Sequence, residues 1–168
     1  MITIDAEPAP ITVHPARTAL LMIDMQRDFL EPGGFGETLG NDVTRLAVAI
    51  GRCKAVLDRA RALYLQEGEP VVDKPGKGAF CATDLHGILR NRGIESLIVC
   101  GVTTEVCVHT TVREANDRGS RCVVPGDCGG SYFPEFREIA LRMISAQGGI
   151  FGWVTDSARV PAALGDAR

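Results

Sequence analysis

Thr18-Ala-Leu-Leu-Met-Ile23 is a continuous apolar run, and it ends in the polar stretch Asp24-Met-Gln-Arg-Asp28. A short apolar run without polar alternation is typical of a strand buried on both faces of a sheet. Comparable runs follow at 96–101, 121–124 and 150–154. Stretches with helical spacing separate them, and strands that alternate with helices predict an α/β fold with a parallel sheet.

Apolar residues at helical spacing predict helices over about 41–63, 83–93, 103–118 and 134–146. We interpret Val71-Val72 as a further short strand that ends near Lys74. The predicted fold class is therefore α/β, a Rossmann-like open parallel sheet of about five strands. Helices on both faces would make three α/β/α layers.

Composition limits the function classes. The chain has 168 residues, of which 45% are hydrophobic and 23% charged, with a net charge of −3. This predicts a single domain over residues 1–168 and argues against nucleic acid or an anionic membrane as the main partner. No apolar run reaches the roughly 18 residues of a membrane span, and no signal peptide is recognisable, so we predict a cytoplasmic protein. The six cysteines form no CxxC pair and are expected to be free thiols.

Three residues with useful chemistry follow predicted strands: Asp24, Lys74 and Cys107. Ligands of open α/β sheets bind outside the carboxyl ends of the strands. Cys107 falls in the first turn of a predicted helix, where unpaired N–H groups favour a thiolate. Lys74 would stabilise that thiolate and Asp24 would accept its proton. The ordinary alternatives are a loop-capping aspartate, a solvated lysine and a packed cysteine.

Three motifs together resemble the isochorismatase-like cysteine hydrolases. They are Ala19-Leu-Leu-Met-Ile-Asp-Met-Gln-Arg-Asp-Phe29, Lys74-Pro-Gly-Lys-Gly-Ala-Phe80 and Gly101-Val-Thr-Thr-Glu-Val-Cys-Val108. The resemblance covers residues 18–62 and 69–155. Within the superfamily the chain is most similar to amidohydrolases of ureido compounds, of the biuret hydrolase and ureidoacrylate amidohydrolase type.

The resemblance implies a role for each of these residues. Cys107 would be the nucleophile, Asp24 the general base and Lys74 the cation that stabilises the thiolate. A cis peptide bond between Val102 and Thr103 is also implied, and it would bring the Thr103 N–H beside the Cys107 N–H as an oxyanion hole. The implied reaction is hydrolysis of a C–N bond in a small amide or ureido substrate through a thioester. Neither a cofactor nor a metal is implied, and a homo-oligomer is expected.

Four further residues are candidate substrate contacts. Gln147 follows Cys107 by forty residues, where biuret-hydrolase-like members place a binding amide. Phe29 and Tyr132 are candidate pocket walls, and Glu105 is a candidate contact for polar ureido groups. The structural alternatives are core packing for the aromatic residues and an exposed helix end for Gln147.

One departure from the family lies near residues 63–69. Family members place a further strand and a long loop before the lysine, and residues 62–70 replace both here. Either the predicted strand at Val71-Val72 moves next to the strand at 18–23, or a gap opens in the sheet, or the sequence omits a segment. The deletion motivates a second hypothesis, a catalytically degraded member that acts as a binding or structural subunit. A third hypothesis is a redox-sensing Cys107 with Cys128 or Cys81 as the resolving thiol.

Overall fold

The computed structural model of the chain describes residues 1–63 and 68–164. Its strands are β1 (Ile2–Ile4), β2 (Ile11–Val13), β3 (Thr18–Ile23), β4 (Ser96–Val102), β5 (Arg121–Pro125), β6 (Gly129–Gly130) and β7 (Trp153–Thr155). Its α-helices are α1 (Arg27–Leu30), α2 (Phe35–Thr38), α3 (Thr44–Ala47), α4 (Ile50–Leu63), α5 (Leu85–Asn91), α6 (His109–Asp117), α7 (Pro134–Gly149) and α8 (Arg159–Leu164). A π-helical turn over Thr104–Val108 leads directly into α6.

The main sheet has five parallel strands, which confirms the predicted fold class. Its order is β3-β4-β5-β7, and the short β6 pairs with the carboxyl end of β4. β3 and β4 are directly hydrogen-bonded, in a register that places Thr18 opposite Ser96 and Ile23 opposite Gly101. The carboxyl ends of β3 and β4 therefore lie side by side at one edge of the sheet.

Helices cover both faces of this sheet. Side chains of β3 alternate between them, since Leu21 and Ile23 face one layer and Leu20 and Met22 face the other. The first layer holds α5, α6 and α7, and the second holds α4, α8 and the β1–β2 hairpin. The buried side chains that form these contacts include Leu85, Leu89, Val112, Leu141 and Ile144 in the first layer and Ile4, Val13, Val56 and Val160 in the second.

The predicted strand at Val71-Val72 is wrong. The segment has no strand structure, and Val71 is 93% exposed. Two apolar residues between Pro70 and Pro75 are too few to hold a sheet position, since neither proline can donate a ladder hydrogen bond. Within the described residues β3 has β4 as its strand partner, so the segment before Lys74 does not move beside β3.

Both ends of the described chain are packed against the main sheet. β1 and β2 pair antiparallel, and Glu7 forms a bridge with Val154 beyond them. The segment after Ser157 contains α8, whose Val160 is fully buried. In the ranges 1–63 and 68–164, no helix has the length and apolar character that crossing a membrane requires.

Candidate active site

Asp24 lies immediately after β3, where the chain turns away from the sheet. Its backbone is left-handed, with φ at 49°, a conformation that aspartate tolerates better than most residues. The Gln26 N–H donates to the Asp24 carbonyl oxygen at 2.8 Å and closes this turn. The turn leaves the carboxylate at the carboxyl edge of the sheet with only 9% of its side chain exposed.

Cys107 reaches the same edge from β4. The Val102–Thr103 peptide bond is cis, which is the configuration that the family resemblance implies. The chain then enters the π-helical turn, and the Thr104 hydroxyl anchors this turn by donating to the Gly130 carbonyl at 3.2 Å. Cys107 is 7% exposed, so its thiol is almost fully removed from solvent.

Lys74 arrives by a different route from the one that the sequence predicts. It belongs to the irregular segment 68–84 rather than to the end of a strand. This segment is held on α6, because the Ala79 N–H donates to Thr111 Oγ1 at 3.0 Å and Phe80 is buried. The Thr111 hydroxyl donates in turn to the Cys107 carbonyl at 2.7 Å, so one threonine connects the lysine segment to the cysteine turn.

These three side chains converge. Lys74 Nζ lies 2.8 Å from Asp24 Oδ2 and 3.8 Å from Cys107 Sγ. Only 15% of the lysine side chain is exposed, and Nζ also donates to the Gly76 carbonyl at 3.1 Å. The arrangement is a shielded carboxylate, ammonium and thiol within contact of one another.

The protonation state of Cys107 differs from the thiolate that the sequence predicts. Burial, followed by the hydrogen bond and the negative charge of Asp24, raises the pKa of the Cys107 thiol to about 11. The Lys74 ammonium and a hydrogen bond from the Thr103 backbone lower this pKa, but by less. The thiol is therefore protonated near neutral pH and lies beside the carboxylate that could accept its proton.

Three of the four predicted substrate contacts lie together near this edge. Phe29 and Tyr132 pack with the buried Val102 at the end of β4, and the Tyr132 hydroxyl donates to the Phe29 carbonyl at 3.3 Å. Burial and the negative charge of Glu105 raise the pKa of Tyr132. Glu105 Oε1 accepts from the Ser131 hydroxyl at 2.9 Å, whereas its buried Oε2 has no hydrogen-bond partner among the described residues.

Gln147 is not brought to this group. It is exposed, with φ at 52°, near the C-terminal end of α7. That end leads into the amino end of β7, whereas Asp24 and Cys107 follow the carboxyl ends of β3 and β4. In parallel strands these are opposite edges of the sheet, so the structure separates Gln147 from the cysteine.

The other five cysteines lie in three places, and Cys122 is buried in β5. Cys53, Cys100 and Cys128 are buried together on the α4 side of the sheet, away from Cys107. Cys81 is exposed within the segment 68–84, and its Sγ would lie 3.0 Å from a Cβ added to Gly76. Over residues 1–63 and 68–164, no cluster of three or more His, Cys, Asp or Glu side chains is arranged to hold a metal ion.

Thr111 and Ser131 are the contacts that sequence reasoning missed. Thr111 lies one helical turn after Cys107, and that spacing of a hydroxyl on the same helix face is the signal that could have identified it. Ser131 lies in the loop that follows β6, and its contact with Glu105 joins segments 26 residues apart. No local pattern indicates such a contact.

Known proteins share this architecture. A curated relative, ureidoacrylate amidohydrolase RutB of Methylobacterium radiotolerans, is 26% identical over an alignment that covers 98% of this chain and 86% of that protein. A crystal structure of a cysteine hydrolase from Pseudomonas syringae superposes with a TM-score of 0.80 at 24% identity and covers 93% of this chain and 96% of its own. A nicotinamidase from Staphylococcus aureus superposes with a TM-score of 0.71 at 20% identity over 83% of this chain and 99% of its own. Residues 62–159, more than half of the chain, match the isochorismatase domain, and the chain therefore belongs to the isochorismatase family of hydrolases.

Proposed function

We propose that the chain is a cysteine-dependent amidohydrolase that cleaves a C–N bond of a small amide or ureido compound through a thioester. The observation that carries the proposal is the convergence of Asp24, Lys74 and Cys107, with Lys74 Nζ at 2.8 Å from the carboxylate and 3.8 Å from the thiol. The similarity to a ureidoacrylate amidohydrolase supports the amide or ureide class. We further propose that residues 1–168 act as one domain, which the packing of α8 against β1 and α4 supports.

The proposed reaction begins with the Cys107 thiol protonated. As the substrate carbonyl approaches, Asp24 accepts the thiol proton and the sulfur attacks the carbonyl carbon. The Lys74 ammonium offsets the negative charge that develops on sulfur. Collapse of the tetrahedral intermediate breaks the C–N bond, and ammonia or an amine leaves with the proton that Asp24 holds. Water then attacks the thioester while Asp24 accepts a proton from the water. The C–S bond breaks, the acid leaves, and Asp24 returns the proton to the Cys107 sulfur.

Backbone N–H groups would stabilise the oxyanion of this intermediate. The Thr103 backbone lowers the pKa of the Cys107 thiol, which supports this role because it places the Thr103 N–H beside the reacting group. A donor already oriented toward the place where charge develops needs no reorganisation during the reaction. We propose the N–H groups of Thr103 and Cys107 as the oxyanion hole.

Replacement of the nucleophile tests the reaction. We expect Cys107→Ala and Cys107→Ser to lower ammonia release by a factor of about 10³ or more, because the proposed thioester forms on the Cys107 sulfur. Ammonia release would be measured over biuret, ureidoacrylate, carbamoylated amino acids and nicotinamide. Mass spectrometry of a quenched wild-type reaction should show the acyl group on the peptide that contains Cys107.

The matched control is Cys122→Ala, a buried cysteine of β5 outside the site. It should keep its activity if it remains folded by circular dichroism. Wild-type activity in a folded Cys107→Ala protein would reject the nucleophile assignment. No ammonia from any compound, together with no acyl adduct, would reject the proposed reaction.

Glu105 is the proposed contact for substrate N–H groups. Glu105 is half-buried, and its Oε1 accepts a hydrogen bond from Ser131. Its Oε2 is buried without a hydrogen-bond partner among the described residues, so an N–H group of the substrate could donate to it. We expect Glu105→Gln to raise KM by about tenfold, because the acceptor becomes a weaker amide, while kcat changes less. Ser131→Ala is the comparison, since it keeps the carboxylate. An unchanged KM for Glu105→Gln would remove Glu105 from the substrate site.

A second candidate function is a binding or structural subunit without catalysis. The observation that favours it is the enclosure of the three side chains, since Cys107 is only 7% exposed. This function predicts that a compound of the panel protects the protein against thermal unfolding without release of ammonia. Ammonia release that depends on Cys107 would exclude it.

A further inference from the structure

Helix α7 carries an apolar face that the rest of the described chain leaves open. Phe136, Ile139 and Met143 are 47%, 52% and 43% exposed, and their spacing places them on one side of the helix. Phe133 precedes them, 45% exposed, with its ring centroid 5.1 Å from that of Phe136. We name Phe133, Phe136, Ile139 and Met143 the α7 stripe.

The stripe lies on a rigid element. The adjoining face of α7 is buried in the core through Ala140, Leu141 and Ile144. Ser131 Oγ accepts from the Phe133 N–H at 2.8 Å, which fixes the start of the helix. A helix that is apolar on its core side and on much of its outer side is typical of one that is covered in an assembly.

Two charges border the α7 stripe, and they indicate what covers it. Glu135 and Arg142 are both exposed, and neither forms an ion pair with a residue in 1–63 or 68–164, whereas the neighbouring Arg137 pairs with Glu138. They are seven residues apart, so they lie on the same flank of the helix and about 10 Å apart along its axis. One flank thus carries an acidic group before Ile139 and a basic group after it along the helix axis.

We infer that the α7 stripe is the contact surface for a second copy of this chain, with the two α7 helices antiparallel about a two-fold axis near Ile139. Antiparallel helices related by such an axis bring the same flank of each into contact. Glu135 of each copy then lies near Arg142 of the other copy, and both charges gain a partner. In a parallel arrangement the two-fold axis would run along the helices and put the same flank of each copy on opposite sides of the contact, so Glu135 would not meet Arg142 of the other copy.

The four apolar side chains would lose water at the centre of this contact, while the two ion pairs would lie at its rim. That distribution, apolar in the core and charged at the rim, is the usual one for interfaces between proteins. The contact is self-complementary, so it requires no other protein. It is also independent of the proposed reaction, because it uses neither Asp24, Lys74 nor Cys107.

Sedimentation velocity on the full chain between about 1 and 100 μM tests the inference. We expect the wild type to form a dimer and Ile139→Asp to be a monomer with unchanged circular dichroism, because a carboxylate would be buried at the axis. Val48→Asp is the matched control, since Val48 is 61% exposed and lies outside the α7 stripe; it should dimerise like the wild type.

Charge reversal makes the test specific to the arrangement. Glu135→Arg and Arg142→Glu should each raise the dimer Kd by about tenfold or more, because each places like charges together twice. The double variant, and an equimolar mixture of the two single variants, should dimerise like the wild type. A monomeric wild type at 100 μM, a dimer that survives Ile139→Asp, or a double variant that stays as weak as the single ones would each overturn the inference.

Discussion

At the scale of single residues, the two charges beside Cys107 act in opposite directions on its proton. Asp24 holds the proton on the sulfur, and Lys74 favours its loss. Together with burial, the carboxylate prevails and the pKa of the thiol rises to about 11. A thiol that stays protonated until substrate arrives is less exposed to oxidation than a permanent thiolate.

This balance predicts opposite effects of two substitutions on alkylation of Cys107 by iodoacetamide. Asp24→Asn removes the carboxylate that raises the thiol pKa, so the pKa should fall and alkylation at pH 8 should become about tenfold faster, although hydrolysis is lost. Lys74→Met removes the cation that lowers the pKa, so alkylation should become slower. In the wild type the rate should rise about tenfold per pH unit below pH 11, because only the thiolate reacts.

The measurement is mass spectrometry of the Cys107 peptide at timed intervals. It requires a Cys81→Ser background, since Cys81 is exposed and would react first. Slower alkylation in Asp24→Asn than in the wild type would contradict the proposed electrostatic role of the carboxylate.

At the scale of elements, the strands that the sequence predicts correctly are those with three or more consecutive apolar residues. β3, β4 and β5 begin within a residue of their predicted starts, because burial on both faces requires an unbroken apolar run. The predicted helix over 41–63 is divided into α3 and α4, and the predicted helix over 103–118 becomes the π-helical turn followed by α6. Val71-Val72 has the apolar composition of a strand but lacks the length and a partner.

The finding that residues 71–72 form no strand can be tested by introducing a charge at Val71 and measuring stability. Val71→Lys should change the free energy of unfolding by less than about 0.5 kcal/mol, because the side chain is 93% exposed. Val99→Ala in β4 should lower it by about 2 kcal/mol or more, because Val99 is fully buried and its removal leaves a cavity. Urea unfolding followed by circular dichroism measures both. A large loss of stability in Val71→Lys would mean that residues 70–74 do form a buried strand.

At the scale of the whole molecule, the shortened region leaves β3 at the edge of the described sheet. The alignment with the ureidoacrylate amidohydrolase has 224 positions. It includes 98% of this chain, about 165 residues, so the remaining positions are gaps in this chain. Lys74 nevertheless reaches Asp24, because the segment 68–84 crosses the carboxyl end of β3 and is anchored on α6. An open depression of about 240 Å³ lies beside this segment, lined by residues 71–73, 82–84 and Ile88.

The sequence by itself determined the parallel α/β sheet and the placement of Asp24 and Cys107 beyond the carboxyl ends of its strands. Both follow from local patterns, since apolar runs form buried strands and the residues after parallel strands share one edge. The tertiary structure alone decided the route of Lys74, the separation of Gln147 from the site, the proton on Cys107 and the open α7 stripe. Each of these depends on contacts between segments that are distant in the chain and on the burial those contacts produce, and neither is encoded in the spacing of neighbouring residues.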